Sequence, residues 1–250
     1  MTFILFVIFV VNMELGYLGR TELLIGKQGL KKLQQAHVLV VGLGGVGSYA
    51  AEALVRAGIG EITIVDGDQV VKSNINRQLQ ALHSSIGKSK SELMTKRLKD
   101  INPELVLNEV NRFLNPEDIQ ILLNHNFSFV LDCIDSVTPK LELIKLCKQR
   151  KLKFISAMGA GGKTDPSLIK IVDINETRDC FFSREIRKRL RREHYNYGIK
   201  VVYSNEVVDK DKMELTDGTQ FKKSYYGTIS YIPAMFGLTM ASYVIRKLIA

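Results

Sequence analysis

Residues 37–48 read HVLVVGLGGVGS, and residues 61–66 read EITIVD. The first stretch begins with a short apolar run, typical of a buried parallel strand, and it ends in a turn rich in glycine. Segment 46–57 is rich in alanine and has the apolar spacing of a helix, and segment 61–65 has the pattern of a second strand. Strand, glycine turn, helix and strand form one βαβ unit, and this unit decides the fold by predicting a parallel sheet.

The glycine turn has the spacing of a nucleotide-binding fingerprint. Its members are Gly42, Gly44, Gly45 and Gly47, followed by Ser48. Glycines permit a tight turn and a close approach of backbone to phosphate, and the N-terminus of the next helix attracts anions. Asp66 ends the second strand, where a carboxylate can accept both ribose hydroxyls, and Asp68 follows two residues later. The pattern therefore predicts a nucleotide site, and by itself it favours NAD or FAD.

The alternation of strands and helices continues along the chain. We predict helices at 21–33, 89–101, from 115, at 138–149, 182–193 and at the C-terminus, and strands at 105–110, 127–131, 153–156, 168–172 and 199–203. This order predicts an α/β fold with a Rossmann-like, doubly wound, mostly parallel sheet that the C-terminal half extends with antiparallel strands. We expect a single domain over residues 13–250.

Both ends of the chain are apolar. Residues 1–11 are too few to span a bilayer as a helix, and they lack the basic start and the cleavage site of a signal peptide. We interpret residues 1–12 as an N-terminal extension from a start codon assigned too early, with Met13 as the initiator; a weak membrane-attaching segment is the alternative. The stretch 232–250 carries Arg246 and Lys247, so a buried or dimer-facing helix is favoured over a stable membrane span.

Charged side chains near the strand ends favour a triphosphate over a dinucleotide. Cations there neutralise charge as pyrophosphate leaves. A carboxylate after a later strand can hold Mg²⁺ on the phosphates. Singly, each of these charges is equally typical of a solvated surface or a helix cap, but all of them follow strands, where ligands bind in such sheets. The candidates are Asn74, Arg77, Lys88 and Lys90 for the phosphates, and Asp132, Asp135 and Ser136 after the later strand.

The overall composition indicates a globular protein with an anionic partner. The chain has 250 residues, 46% of them hydrophobic, and a formal net charge of +9. An excess of positive charge favours nucleic acid or nucleotide, although a generally basic soluble protein is the plain alternative. The three cysteines lie far apart without a C-x-x-C pair, which argues against a disulfide framework and a zinc ribbon and favours a reducing cytoplasm.

The order of these motifs resembles the adenylating domain of the ThiF/MoeB/HesA superfamily, which is homologous to ubiquitin-activating enzymes. The resemblance rests on segments 42–48, 73–78 and 132–135 together with Asp66 and Lys90. It implies that ATP adenylates a carboxylate with Asp66 on the ribose, Asn74 and Arg77 on the phosphates, Lys90 near the α-phosphate and Asp135 on Mg²⁺. It also implies a homodimer, because Arg20 resembles an arginine that a partner subunit inserts into the ATP site.

Within the superfamily, segments 20–26, 135–140, 159–166 and 202–206 resemble the tRNA threonylcarbamoyladenosine dehydratase branch. That branch implies ATP-dependent dehydration of the modified adenosine beside the anticodon to a cyclic form. A sulfur-relay protein partner and a monovalent cation, Na⁺ or K⁺, near residues 159–162 are further expectations. The main alternative is a protein that adenylates the C-terminus of a sulfur carrier or ubiquitin-like protein, but such activators usually hold zinc with C-x-x-C pairs. An NAD-dependent oxidoreductase is a second alternative.

The run 184–192 reads REIRKRLRR, which agrees with an RNA substrate. On a helix, one basic face would meet a phosphate backbone, and the two tyrosines that follow, Tyr195 and Tyr197, could stack on a splayed base. An ordinary solvated basic helix is the alternative. Cys180 could form a thioester, but an incidental thiol is the favoured interpretation. The predicted RNA-binding residues are Arg184, Arg187, Lys188 and Arg191.

Overall fold

The computed structural model describes residues 16–209, 211, 213–215 and 224–250. Residues 1–12 and Met13, on which we based the predicted start, lie outside the described residues, so the boundary at residue 13 stays a prediction.

Seven strands form one mixed sheet, and two further strands form a separate antiparallel pair. In space the large sheet runs β3-β2-β1-β4-β5-β7-β6, and every neighbouring pair is parallel except β6 and β7. The strands of the large sheet are β1 (His37–Val41), β2 (Glu61–Val65), β3 (Val106–Val110), β4 (Phe129–Asp132), β5 (Phe154–Ala157), β6 (Ile169–Asp173) and β7 (Lys200–Ser204). The separate pair is β8 (Met213–Leu215) and β9 (Ser224–Tyr226).

Helices connect the strands and cover the sheet. They are α1 (Gly19–Gln34), α2 (Gly47–Arg56), α3 (Lys90–Ile101), α4 (Pro116–Leu122), α5 (Val137–Gln149), α6 (Phe181–Arg192) and α7 (Tyr231–Ile249). Local chemistry sets several starts: Ser89 accepts the Glu92 N–H at the start of α3, and Asn115 accepts the Asp118 N–H at the start of α4.

The predicted α/β fold is confirmed, including the mostly parallel sheet and its antiparallel extension at β6. Two features were not predicted. Gly26 has a φ of +74° and kinks α1, and the chain adds the pair β8 and β9 before the last helix. A glycine in the left-handed region carries no penalty from a Cβ atom, so the kink costs little.

Two apolar clusters lie on the two faces of the sheet. Helix α7 belongs to the first cluster and packs on α2 and α1. The approach to α2 is close, because a Cβ atom on Gly237 would lie 2.2 Å from the Val46 carbonyl oxygen. By length and composition alone α7 could cross a membrane, but its buried side, which includes Phe236, Met240 and Val244, packs as the core helix of a globular domain does.

Candidate nucleotide and adenylation site

The glycine turn between β1 and α2 is built so tightly that side chains are excluded at two of its positions. Gly42 has a φ of +91°, and a Cβ atom on Gly47 would lie 1.8 Å from the Gly42 carbonyl oxygen. Around Gly44 the space is open, with only the Gln78 amide nitrogen at 3.8 Å from a Cβ position. The turn therefore brings bare backbone to the carboxyl edge of the sheet, which is the geometry that the predicted phosphate contacts require.

Ser48 is fully buried, and its hydroxyl donates to the Gly44 carbonyl at 2.7 Å. This bond braces the turn, so the hydroxyl helps to fix the shape of the predicted nucleotide site. A direct contact between Ser48 and the nucleotide stays a prediction.

Asp66 lies beside the turn at the end of β2. One carboxylate oxygen accepts the Leu43 N–H at 2.7 Å, and the other accepts the Asp68 N–H at 2.8 Å. Burial raises the pKa of Asp66, although Lys90 and the two backbone bonds oppose that shift. The predicted ribose acid is thus tied to the turn that would hold the phosphates.

Lys90 is buried at the first position of α3, and its ammonium lies 2.8 Å from the Asp68 carboxylate. The pair brings a cation to the same edge as Asp66. A phosphate would compete with the Asp68 carboxylate for this ammonium, because both are anions that accept hydrogen bonds from it. Lys90 can therefore pair with Asp68 in the absence of a ligand and with a phosphate in its presence.

Arg77 packs against the other side of the turn, since its Cγ atom is 3.4 Å from where a Cβ atom on Gly45 would lie. Its guanidinium donates to the Ser73 carbonyl at 2.8 Å and to the Asn76 side chain at 2.9 Å. Burial lowers the pKa of Arg77, and the Asp135 carboxylate opposes that shift. The structure therefore brings the turn, Arg77 and Asp135 together.

Asn74 is buried, and its side-chain oxygen accepts the Val71 N–H at 3.2 Å. This bond holds the short helical turn Lys72–Asn74, which lies just before Arg77. Asn74 therefore supports the site by shaping the segment, and its predicted contact with a phosphate is untested.

The two carboxylates after β4 have different environments, which the sequence did not separate. Asp132 is fully buried: the Lys140 ammonium lies 2.7 Å and the Ser156 hydroxyl 2.6 Å from the same carboxylate oxygen. Its other oxygen accepts the Ile134 N–H at 3.1 Å. Asp132 is therefore closed to metal, whereas Asp135 is exposed at the edge of the sheet, followed by Ser136 at the start of α5. Lys140 and Ser156 were missed, because nothing in the local pattern pairs residues on α5 and β5.

The donor set fits Mg²⁺ bound through phosphates. Among the residues that the structure describes, no group of three or more His, Cys, Asp or Glu side chains could hold a metal ion. Mg²⁺ commonly binds through one or two carboxylates together with phosphate oxygens and waters, and the single exposed carboxylate of Asp135 meets that need.

Directly after residues 159–162, where a monovalent cation is predicted, a lysine ammonium binds two backbone carbonyls. Lys163 is buried, and its ammonium donates to the carbonyls of Ser204 at 3.1 Å and Glu206 at 2.9 Å. A cation is thus already present on those oxygens, and Na⁺ or K⁺ stays a prediction for the carbonyls of the turn itself.

Comparison with known proteins agrees with this geometry. The model of the ThiF family matches residues 18–250. The chain belongs to the ThiF family. It is 38% identical over 238 residues to the tRNA threonylcarbamoyladenosine dehydratase of Bacillus subtilis (strain 168), covering 92% of this chain and 94% of that protein. Its identity to the protein of that name from Haemophilus influenzae is 39% over 245 residues, covering 94% and 92%.

Among solved structures, the chain resembles Escherichia coli tRNA N6-threonylcarbamoyladenosine dehydratase in complex with ATP. The TM-score is 0.84 at 35% identity, and the match covers 93% of each chain. The chain therefore shares its fold with a protein that has been solved in complex with ATP.

In this ThiF-family chain, Arg20 lies away from its own nucleotide site. A Cβ atom on Gly58, just after α2, would lie 3.2 Å from the Leu18 side chain. The backbone of the exposed Arg20, two residues after Leu18, is therefore near the C-terminus of α2. A ten-residue helix is about 15 Å long, and the glycine turn lies at its other end. The structure does not bring Arg20 to its own site, and its predicted role requires a second chain.

The four predicted RNA-binding residues of the basic helix α6 have different surroundings, and their contact with RNA stays a prediction. Arg187 donates to the Thr177 carbonyl at 3.0 Å, and Arg191 donates to the Asn175 side chain at 2.7 Å. Both hold the segment before α6, because that segment leaves carbonyl and amide oxygens within their reach. Arg184 and Lys188 are exposed.

The aromatic and thiol candidates around α6 are also separated by the fold. The Tyr195 hydroxyl accepts a hydrogen bond from the Gln149 side chain at 2.7 Å, whereas Tyr197 is 77% exposed. Cys180 is buried at the start of α6, and its sulfur accepts the Ser183 N–H at 3.5 Å.

Proposed function

We propose that the chain is an ATP-dependent tRNA threonylcarbamoyladenosine dehydratase, which adenylates the substrate carboxylate and closes a ring. The observation that carries this proposal is the gathering of two cations, Arg77 and Lys90, and one exposed acid, Asp135, around a glycine turn with a ribose acid. Cations at that position neutralise the charge that develops as pyrophosphate leaves, whereas hydride transfer develops no such charge on the phosphates. The match of this chain covers 94% and 92% of the lengths of the two dehydratases from Bacillus subtilis and Haemophilus influenzae.

In the first step the carboxylate of the modified adenosine attacks the α-phosphorus of ATP, and pyrophosphate leaves. Asp66 accepts the ribose hydroxyls, the N–H groups of the turn bind phosphate oxygens, and Arg77 and Lys90 neutralise the charge that develops. Asp135 would hold Mg²⁺, which shields the negative charge of the phosphates.

In the second step an oxygen or nitrogen of the same substituent attacks the activated carbonyl, and AMP leaves as a ring closes. The sum is the loss of one water from the nucleoside, with ATP converted to AMP and pyrophosphate. The attacking atom lies within the substrate, so no enzyme nucleophile is needed. Cys180 is buried and its sulfur caps α6, which supports a structural thiol.

The decisive experiment is mass spectrometry of tRNA nucleosides after incubation with purified protein and ATP. Wild-type protein is expected to remove one water from threonylcarbamoyladenosine, and Arg77→Ala to abolish this loss. Arg56→Ala is the matched control, because Arg56 lies at the far end of α2 in an ion pair with Glu52, which also binds Arg97. An unchanged nucleoside with wild-type protein overturns the proposal.

A second arm separates this function from activation of a carrier protein. We measure ATP–pyrophosphate exchange with modified tRNA and, separately, with a sulfur-carrier protein that ends in Gly-Gly. Exchange with the carrier alone would establish the alternative. The three cysteines of the chain form no C-x-x-C pair, although activators of sulfur carriers usually hold zinc with two such pairs.

The proposed assembly is a homodimer in which Arg20 of each subunit completes the site of the other. Beside Arg20, α1 exposes Leu23 and Leu24, which are 77% and 86% accessible, and burial of such side chains favours association. Co-expression of Arg20→Ala with Arg77→Ala tests this arrangement. Mixed dimers contain one complete site, so roughly a quarter of wild-type activity should return from two inactive parents. No recovery would exclude sharing of the site.

Cytoplasmic localisation and a sulfur-relay partner are part of the proposal. They are tested by cell fractionation and by co-purification of the tagged full-length chain.

A further inference from the structure

Helix α6 has a buried side and an exposed side. Ser183, Ile186 and Leu190 face the core. Phe181, Arg184 and Lys188 follow one another at spacings of three and four residues and are all exposed. We call these three residues the α6 stripe. Residues at such spacings are neighbours on a helix, about 5–6 Å apart between Cβ atoms.

The stripe begins at the edge of the sheet that carries the adenylation site. A Cβ atom on Gly159 would lie 3.3 Å from the Cβ atom of Phe182. Gly159 follows β5, and β5 pairs with β4, which leads to Asp135. The other end of α6 lies near the C-terminus of α5, where Tyr195 contacts Gln149. The stripe therefore runs from the site along the flank of the molecule.

The chemistry of the stripe suits single-stranded RNA. The Phe181 ring is 38% exposed, and the Arg184 guanidinium lies 4.8 Å from its centre. The guanidinium lies over one face of the ring, and both an aromatic ring and a guanidinium plane are surfaces on which an unstacked base packs. Neither Arg184 nor Lys188 takes part in an ion pair within the described ranges, whereas Arg189 on the flank is paired with Glu185. Two cations without an ion-pair partner in the described ranges, together with an exposed ring, can bind the phosphates and a base of one RNA strand.

We propose that the α6 stripe receives the anticodon loop of the tRNA: Phe181 stacks on a base next to the reacting nucleoside, and Arg184 and Lys188 bind the phosphates that follow. This inference rests on the proposed function. It keeps Arg184 and Lys188 from the set predicted by sequence, adds Phe181, and leaves out Arg187 and Arg191, because these two are held by the segment before α6.

Binding of a modified anticodon stem-loop to the full-length protein, measured by fluorescence anisotropy, tests the stacking contact. Phe181→Ala is expected to raise the Kd about tenfold, as loss of one base–aromatic stack does, and Phe181→Tyr to stay near wild type. Tyr197→Ala removes a more exposed ring near the opposite edge of the sheet, and it shows whether the base stacks on Tyr197 or on Phe181. We expect this variant to bind the stem-loop as wild type does. The stabilisation by ATP should be equal in all three variants, which reports intact folding.

The phosphate contacts are tested by salt. Replacing both cations, Arg184→Gln with Lys188→Gln, should make the slope of log K against log salt shallower by about 1.4, since each phosphate contact on a single strand contributes about 0.7. Arg189→Gln with Arg192→Gln is the matched double variant on the neighbouring flank and should lower the slope less.

Two outcomes overturn the inference: wild-type affinity of Phe181→Ala, or weaker binding only with Tyr197→Ala. If wild-type protein dehydrates the tRNA while Phe181→Ala binds and reacts as well, the inference fails and the proposed function stands. If wild-type protein leaves the nucleoside unchanged, the proposed function itself has failed.

Discussion

Replacing Lys140 with methionine should destabilise the protein strongly. The Lys140 ammonium and the Asp132 carboxylate are 0% and 1% exposed and lie 2.7 Å apart, so the substitution leaves one charge buried without its partner. Such losses cost about 3–5 kcal/mol. For a domain of this size each kcal/mol lowers Tm by about 2–4 °C, which predicts a fall of about 6–20 °C.

The matched variant combines Lys140→Met with Asp132→Asn. Both charges are then absent, and an asparagine oxygen can still accept the Ile134 N–H. We expect its free energy of unfolding to lie within about 1.5 kcal/mol of wild type, because replacing a buried ion pair as a whole is often nearly neutral. Urea unfolding at pH 7 measures both variants.

The same pair should influence the site, since Asp132 holds the backbone just before Asp135. Lys140→Met should therefore need more Mg²⁺ for half-maximal activity than the double variant does. A single variant within 1 kcal/mol of wild type, or a double variant as unstable as the single one, would refute this reasoning.

Three further predictions concern the nucleotide edge and the helix beside it. Gly47→Ala places a Cβ atom 1.8 Å from the Gly42 carbonyl oxygen, so ATP should no longer raise Tm. Burial acts to raise the pKa of Glu52, but hydrogen bonds from two arginines outweigh it and the pKa is lowered. Glu52→Gln should therefore cost about 1 kcal/mol at pH 7, and the deficit should vanish as pH falls through that lowered pKa, where wild type loses the same contribution. Burial raises the pKa of Asp66, so on acidification this carboxylate takes up a proton at a higher pH than an ordinary aspartate does. The affinity for ATP, measured by calorimetry, should weaken at that higher pH. The Asp66→Asn variant should lack this pH dependence.

The central strands could be predicted because their signals are local. Strands β1 and β2 have the bounds that the apolar runs indicate, and α3 and α4 start beside the caps that the sequence displays. The pair β8 and β9 was missed, since short strands outside the main sheet leave little apolar pattern to detect.

The sequence does not show burial or partners that are distant in the chain, so the surroundings of the candidate residues could not be predicted. Asp132 and Asp135 look alike in sequence, yet only the packing of α5 and β5 places Lys140 and Ser156 on the first of them. Likewise, helical spacing gave Arg187 the same role as Arg184, although the chain folds Thr177 against only one of the two.

Sequence alone determined the kind of protein: a βαβ unit whose glycines, ribose acid and phosphate cations lie at the ends of successive strands. In a parallel sheet those ends meet at one edge, so the order of motifs already implies a shared site. Tertiary structure decided which charges are available to ligands. That choice depends on desolvation and on contacts between residues distant in the chain, such as the ammonium of Lys140 on Asp132 and the ring of Phe181 beside Arg184.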